Sequence, residues 1–179
     1  KNEKLGIEIT CNDTVASHEN IFLRRVHATN LRETKRQIRV FLHQDFRIYE
    51  SNFGDTAFYD PDTPGLVHYK KHQYFLINTE PHFDTFATGR KGVRDREGTW
   101  RDGEDGNLQG GVITEGSVDS TVGVHFDLEP GASREFFYWI AAGTSLDEVS
   151  KLNTLVQNRR PQRYLDYTAN YWRAWVNKN

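Results

Sequence analysis

The sequence is poor in sulfur. Among its 179 residues there is one cysteine and no methionine. Because Cys11 has no second cysteine to pair with, an internal disulfide is excluded, which fits a reducing compartment without requiring one. No signal peptide is recognisable, so we expect a cytoplasmic location. The chain begins at Lys1 and enters strand-like sequence almost at once, and we therefore expect it to be a fragment whose start lies upstream.

Long apolar runs and an excess of one charge are also missing. No run approaches the roughly 20 residues that a membrane helix needs, so no membrane partner is expected. The net charge is -2, and basic pairs such as Lys70-Lys71 and Arg159-Arg160 are isolated. Without a basic stripe to meet a phosphate backbone, nucleic acid is not an expected partner either.

Aromatic residues, by contrast, make up 13% of the chain, within a composition typical of one globular domain. Such an excess suits packed β-structure first, since large rings chiefly fill cores. It also suits sugar binding, in which flat rings stack on pyranose faces. Trp100, Tyr59 and Tyr69 are the candidates for that second role.

Alternation with the period of a strand dominates the chain. Val122, Val124, Phe126 and Leu128 alternate with polar residues, which predicts a half-buried strand. Residues 135–142 are apolar on both faces, which predicts a central strand covered on both sides. The other predicted strands span residues 5–11, 21–30, 37–43, 57–60, 66–69, 73–78 and 84–88. Many short strands without intervening helices indicate a mostly β fold, an antiparallel β-sandwich.

The period changes to that of a helix near the end of the chain. Ser145 and Glu148 form a capping box that predicts a helix start, and Pro161 separates this helix from a second one. The second helix carries an aromatic stripe that includes Tyr171, Trp172 and Trp175. Because chain ends usually fray, a helix with this much apolar area is expected either to fold back or to pack on a partner outside this chain.

One loop, EGTWRDGEDGNLQGG at residues 97–111, concentrates acidic residues between glycines. Glycoside hydrolysis uses two carboxyl groups, but Glu104 and Asp105 are adjacent and point apart on extended backbone, so self-contained catalysis is not expected. An EF-hand register also fails, because counting from Asp102 places Asn107 where glycine is required. We interpret the loop as an ordered one, whose length indicates a function short of a complete reaction.

No metal or cofactor site is predicted. His68 and His72 stand four residues apart, a metal-binding spacing on a helix, but here the spacing crosses a strand end and a turn. Lone Cys11 carries no sign of a nucleophile.

Several segments resemble the N-terminal domain of bacterial and archaeal glucoamylase-like enzymes of glycoside hydrolase family 15. They are NIFLRRVHATN (20–30), RVFLHQDF (39–46), EGTWRDGEDG (97–106), QGG (109–111), GSVDST (116–121) and YWRAW (171–175). The resemblance implies a supersandwich, similar to galactose mutarotase, followed by an (α/α)6 barrel that holds the catalytic glutamates. It further implies that the first strands of the domain and the whole barrel lie outside this chain, and that no carboxylate here is catalytic.

The resemblance therefore implies a division into a β-sandwich at 1–143 and a helical linker at 144–179 that leads to the barrel. The expected function is that of a non-catalytic accessory domain, which stabilises the barrel and shapes access for α-glucosides. Trp100, Arg101, Asp102, Glu104 and Asp105 would form a substrate or interdomain loop, and Tyr171, Trp172 and Trp175 an interdomain helix face. The alternatives are a stand-alone carbohydrate-binding module that takes an α-glucan or oligosaccharide, an accessory domain of a related sugar phosphorylase, and an enzyme that depends on Glu104.

Overall fold

The structure is a computed structural model that describes residues 1–51, 53–93, 96–109 and 111–178. Two antiparallel sheets face each other. The larger has seven strands in the order β1-β2-β11-β6-β5-β4-β9, and the smaller has four in the order β3-β10-β7-β8. The strands are β1 (Ile7–Val15), β2 (Ile21–Asn30), β3 (Arg36–Gln44), β4 (Asp55–Asp60), β5 (Gly65–Lys70), β6 (Gln73–Glu80), β7 (Thr85–Val93), β8 (Arg96–Glu97), β9 (Ile113–Gly116), β10 (Val118–Leu128) and β11 (Ser133–Gly143).

The main core lies between the two sheets. Val122 and Val124 of β10 pack there against Phe136 and Tyr138 of β11, as the alternation of both strands predicts. A second buried layer lies on the other face of the larger sheet, where the helices α1 (Leu146–Arg159) and α2 (Pro161–Val176) cover it. Trp139 points into that layer, so β11 is a central strand buried on both sides. The predicted β-sandwich with two C-terminal helices is confirmed.

Polar residues also cross the main core. His68 Nε2 lies 2.7 Å from Ser120 Oγ, and this hydroxyl donates to Gln44 Oε1 at 2.9 Å. Gln44 Nε2 in turn donates to the Tyr138 hydroxyl at 3.3 Å. Burial lowers the pKa of His68 to about 3, so this imidazole is neutral in the folded protein. The chain of bonds ties the two sheets together at one register.

The first helix begins as its capping box predicts, with one difference. Ser145 Oγ accepts the Glu148 backbone N–H at 3.2 Å. Glu148 reaches back to Thr144, one residue before the cap, and accepts from its backbone N–H at 2.8 Å. This bond lowers the pKa of Glu148. Pro161 occupies the first turn of α2, where its missing N–H costs nothing.

Candidate functional site

The acidic loop lies across the outer face of the four-stranded sheet. Thr99 Oγ1 is 2.9 Å from Thr121 Oγ1 of β10. Arg39 of β3 donates to the Gly106 carbonyl at 2.5 Å. A short 3₁₀ turn, Asp102–Asp105, crosses between these two anchors, where Gly103 lies against the Phe41 ring. The loop therefore forms a packed layer on the outer face of the four-stranded sheet.

A buried carboxylate holds the start of this loop. The Asp119 side chain on β10 is 0% exposed, and its Oδ2 accepts the Thr99 backbone N–H at 2.8 Å. The same oxygen lies 2.9 Å from His43 Nε2 on β3. The Lys91 ammonium, which contacts Asp45, is also buried, and this burial lowers the pKa of Lys91 while Asp119 opposes the shift. Asp119 thus lies where two strands and the loop meet.

The loop also needs a glycine at one position. Gly98 has a φ of +101°, a conformation that other residues rarely adopt, and a Cβ placed there would collide with the Asp119 carboxylate. The close approach of backbone to carboxylate therefore depends on glycine. The next residue but one, Trp100, is 45% exposed, and its indole N–H donates to the Glu97 carbonyl at 2.6 Å.

The charges of the loop are largely satisfied within it. Arg101 pairs with Glu97 and Glu104, and its guanidinium carbon lies 5.8 Å from the centre of the Trp100 ring. Asp105 Oδ1 accepts the Asn107 backbone N–H at 2.8 Å, as in an Asx-turn. Local pairing of this kind suits an ordered loop better than a reactive one.

Asp102 differs from its neighbours. Burial raises its pKa, and the nearby charges of Asp105 and Asp119 add to the rise. Asp102 lines a shallow cleft of about 320 Å³ between the loop and β7, together with Gly89, Arg90, Glu97, Gly98, Thr99 and Arg101. Within the ranges that the structure describes, no three His, Cys, Asp or Glu side chains meet as metal ligands would.

One ordered segment thus holds all five loop residues that the sequence singled out: Trp100, Arg101, Asp102, Glu104 and Asp105. Whether they contact sugar or another domain stays a prediction. Among the other aromatic candidates, Tyr59 stacks on Phe86 at 4.6 Å between ring centres, and Tyr69 stacks on Tyr74 at 5.1 Å. Both rings therefore have a face covered by a neighbour.

The aromatic helix α2 has two unlike halves. Its first half folds back on the sheet, where Tyr164 is buried with Trp139 and Val156. Its second half exposes Trp172 at 54% and Trp175 at 61%, and Tyr171 is exposed beside them. Trp172 contacts the other two rings edge to face, with centres 5.6 Å from Tyr171 and 5.7 Å from Trp175. The three rings form an apolar ridge on the last turns of α2, and Trp172 also lines a cleft with residues 12–15 of β1.

The two histidines with metal-like spacing are not brought together. His68 is buried between the sheets, whereas His72 is exposed in the turn after β5. Among the described residues, no helix is both long and apolar enough to cross a membrane.

Sequence reasoning missed Asp119 and His43 as partners of the loop. Neither residue carries a local signal for this contact, because Thr99 of the loop lies 20 residues before Asp119 and still farther from His43. One signal beyond the local pattern was available. Asp119 lies in a strand close in sequence to a glycine-rich loop, and such an Asp is a candidate acceptor for the backbone N–H groups of that loop.

No protein-family profile matches the sequence, and no curated protein resembles it significantly. Solved structures do match the fold. A bacterial glucoamylase in complex with acarbose aligns with a TM-score of 0.71 at 15% identity, over 95% of this chain and 25% of that chain. A human-microbiome protein assigned as a kojibiose phosphorylase aligns with a TM-score of 0.51 at 10% identity, over 87% of this chain and 19% of that chain.

At these identities the likeness establishes the fold alone. The chain spans a quarter or less of the length of these neighbours. The resemblance to a glucoamylase domain is confirmed at the level of fold, and the division at residues 143 and 144 stays a prediction.

Proposed function

We propose that this chain is a non-catalytic domain of a larger glucoamylase-type glycoside hydrolase. In this proposal it packs against an (α/α)6 catalytic barrel of the same polypeptide and shapes access for α-glucoside substrates. The observation that supports the proposal most is the fold match, which covers 95% of this chain but only 25% of a bacterial glucoamylase. The catalytic acid and base would then belong to the barrel.

The state of three loop carboxylates, those of Glu97, Glu104 and Asp105, supports a scaffold role, whereas Asp102 lines the cleft beside β7. A general acid or base must reach a substrate proton, so its oxygens need to be available. Here Arg101 engages Glu97 and Glu104, and Asp105 is bonded to the loop's own backbone. The loop is therefore suited to present Trp100 and Arg101 on a fixed surface.

The aromatic ridge supports an interdomain contact. Tyr171, Trp172 and Trp175 expose large rings side by side, and such patches mark interaction sites. Aromatic residues in the centre of an interface contribute much of its binding free energy. We therefore assign this ridge to the contact with the barrel.

The test compares the complete gene product with this chain alone. Replacing Trp172 and Trp175 by alanine should leave the unfolding of this chain nearly unchanged, because both rings are exposed, but should lower the melting temperature of the complete product. Phe53→Ala is the matched control, since Phe53 is an exposed aromatic residue outside the ridge. Equal effects of the two changes on the complete product would count against the assignment.

Two other functions remain distinguishable by simple assays. A carbohydrate-binding module would bind maltooligosaccharides saturably, and binding would be lost in Trp100→Ala. An enzyme in its own right would hydrolyse α-glucosides as this chain alone, and Glu104→Gln would abolish that activity. We expect neither result.

The kojibiose phosphorylase neighbour favours a second candidate parent, a sugar phosphorylase. Cleavage of α-glucosides by the complete gene product would then require inorganic phosphate. Cleavage at full rate without phosphate would support the hydrolase.

A further inference from the structure

A pocket lies on the side of the sandwich opposite the acidic loop. It is bounded by residues 16–19 in the β1–β2 turn and by the junction of the two helices, and its volume is about 540 Å³. Arg159 ends α1, while Arg163, Tyr164 and Tyr167 lie on one face of α2. Pockets of a few hundred Å³ suit small molecules.

The charge of this pocket is unbalanced. Two guanidinium groups line it, those of Arg159 and Arg163, together with the imidazole of His18. Glu19, which also lines it, is paired with Arg159 at 2.6 Å. Within the described ranges, no carboxylate lies at ion-pair distance from Arg163. The pocket therefore carries net positive charge.

The position of Arg163 adds to this imbalance. It lies in the first turn of α2, which contains no acidic residue. A helix N-terminus carries partial positive charge and favours anions, so a cation there is unfavourable unless something negative offsets it. Because Pro161 has no N–H and the Arg163 N–H donates to the Arg160 carbonyl at 3.1 Å, the Arg163 side chain favours an anionic occupant more than the helix backbone does.

The remaining wall of the pocket is aromatic. Tyr164 is 7% exposed, and burial raises its pKa while the neighbouring Arg159 guanidinium opposes the rise. The Tyr167 hydroxyl lies 3.3 Å from His18 Nε2. These rings offer apolar surface beside the cationic groups.

We propose that this pocket binds the oxyanion of a small organic molecule, a phosphate monoester or a carboxylate, with an apolar part of that molecule against Tyr164 and Tyr167. Guanidinium groups match both oxyanions through paired N–H donors. A neutral sugar would fit the space but would leave the charge of Arg163 without a counterpart. The proposal does not depend on the proposed function.

The test is to titrate the 179-residue chain with phenyl phosphate and, separately, with benzoate. Calorimetry and the chemical shifts of backbone amides in NMR spectra monitor the binding. We expect saturable binding of at least one, with shifts concentrated at residues 16–19 and 159–168, weakened by added salt. The anion that binds more tightly identifies the oxyanion class. Arg163→Gln should weaken binding roughly tenfold or more, since charge-assisted hydrogen bonds are lost.

Arg134→Gln is the matched control, because Arg134 is exposed at the far end of β11 and should leave the affinity unchanged. If circular dichroism shows that Arg163→Gln does not fold, His18→Gln serves for the same comparison. No saturable binding of either anion to the folded chain would overturn the proposal. So would equal affinities in the pocket variant and the control, or saturable binding of maltose at the same residues.

Discussion

Replacing Asp119 by asparagine should loosen the acidic loop without changing the shape of the side chain. The carboxylate is fully buried and accepts from the Thr99 backbone at 2.8 Å, with His43 at 2.9 Å. A hydrogen bond to a charged group contributes about 1.5–3 kcal/mol. Loss of the charge also relieves the desolvation cost of Asp119 Oδ1, which has no hydrogen-bond partner among the residues that the structure describes. We therefore expect a net loss of about 2 kcal/mol.

Thermal unfolding measures this loss. In a domain of this size, 1 kcal/mol corresponds to roughly 2–4 °C, so Asp119→Asn should melt about 4–8 °C lower. Limited proteolysis should also cut the variant faster at Arg101, in the loop that Asp119 holds. Asp127→Asn is the control, since Asp127 is exposed on the same strand and should shift stability by less than about 0.5 kcal/mol. An unchanged melting temperature together with an unchanged cleavage rate would show that Asp119 does not hold the loop.

Three further predictions concern single positions. Gly98→Ala should cost about 2 kcal/mol or more in urea unfolding, whereas Gly131→Ala, also at positive φ but with open space, should cost only about 1 kcal/mol. Ser145→Ala should cost about 1 kcal/mol through the lost helix cap, and a variant as stable as the parent chain would contradict the cap. The pKa of His68 falls from 6.5 to about 3 on folding, so the unfolded chain binds the extra proton between these values and stability should fall as pH drops through that window. His68→Gln should reduce this slope by up to about 1.4 kcal/mol per pH unit, and exposed His72→Gln should not.

The strands of the core could be predicted, because burial of one face requires apolar residues at every second position, and this alternation is visible in the local sequence. The strand 21–30 was placed at its observed bounds, and β10 and β11 were recognised by their apolar alternation. The short strands β8 and β9 were missed. Their pairing depends on neighbours far along the chain, with β9 joining β4 and β8 joining β7, and their own residues carry little periodicity.

The candidate site was predictable only in part, for the same physical reason. The composition of the loop identified Trp100 and the acidic residues, but the groups that hold it lie on other strands. Asp119 and His43 come together only when β10 pairs with β3, a contact that no local period encodes. In helix α2 the local pattern was visible but its partner was not. The aromatic stripe predicted apolar contacts along the whole helix, but it did not show that only the first half would pack on the sheet.

Amide hydrogen exchange across residues 171–176, measured in this chain and in the complete gene product, tests whether this chain packs on a catalytic barrel. Tyr171, Trp172 and Trp175 are exposed here, so their segment should exchange readily in the chain alone. If the ridge packs against the barrel, this segment should be strongly protected in the complete product, with no change in the already buried strand β10. Equally fast exchange of residues 171–176 in both proteins would contradict this contact.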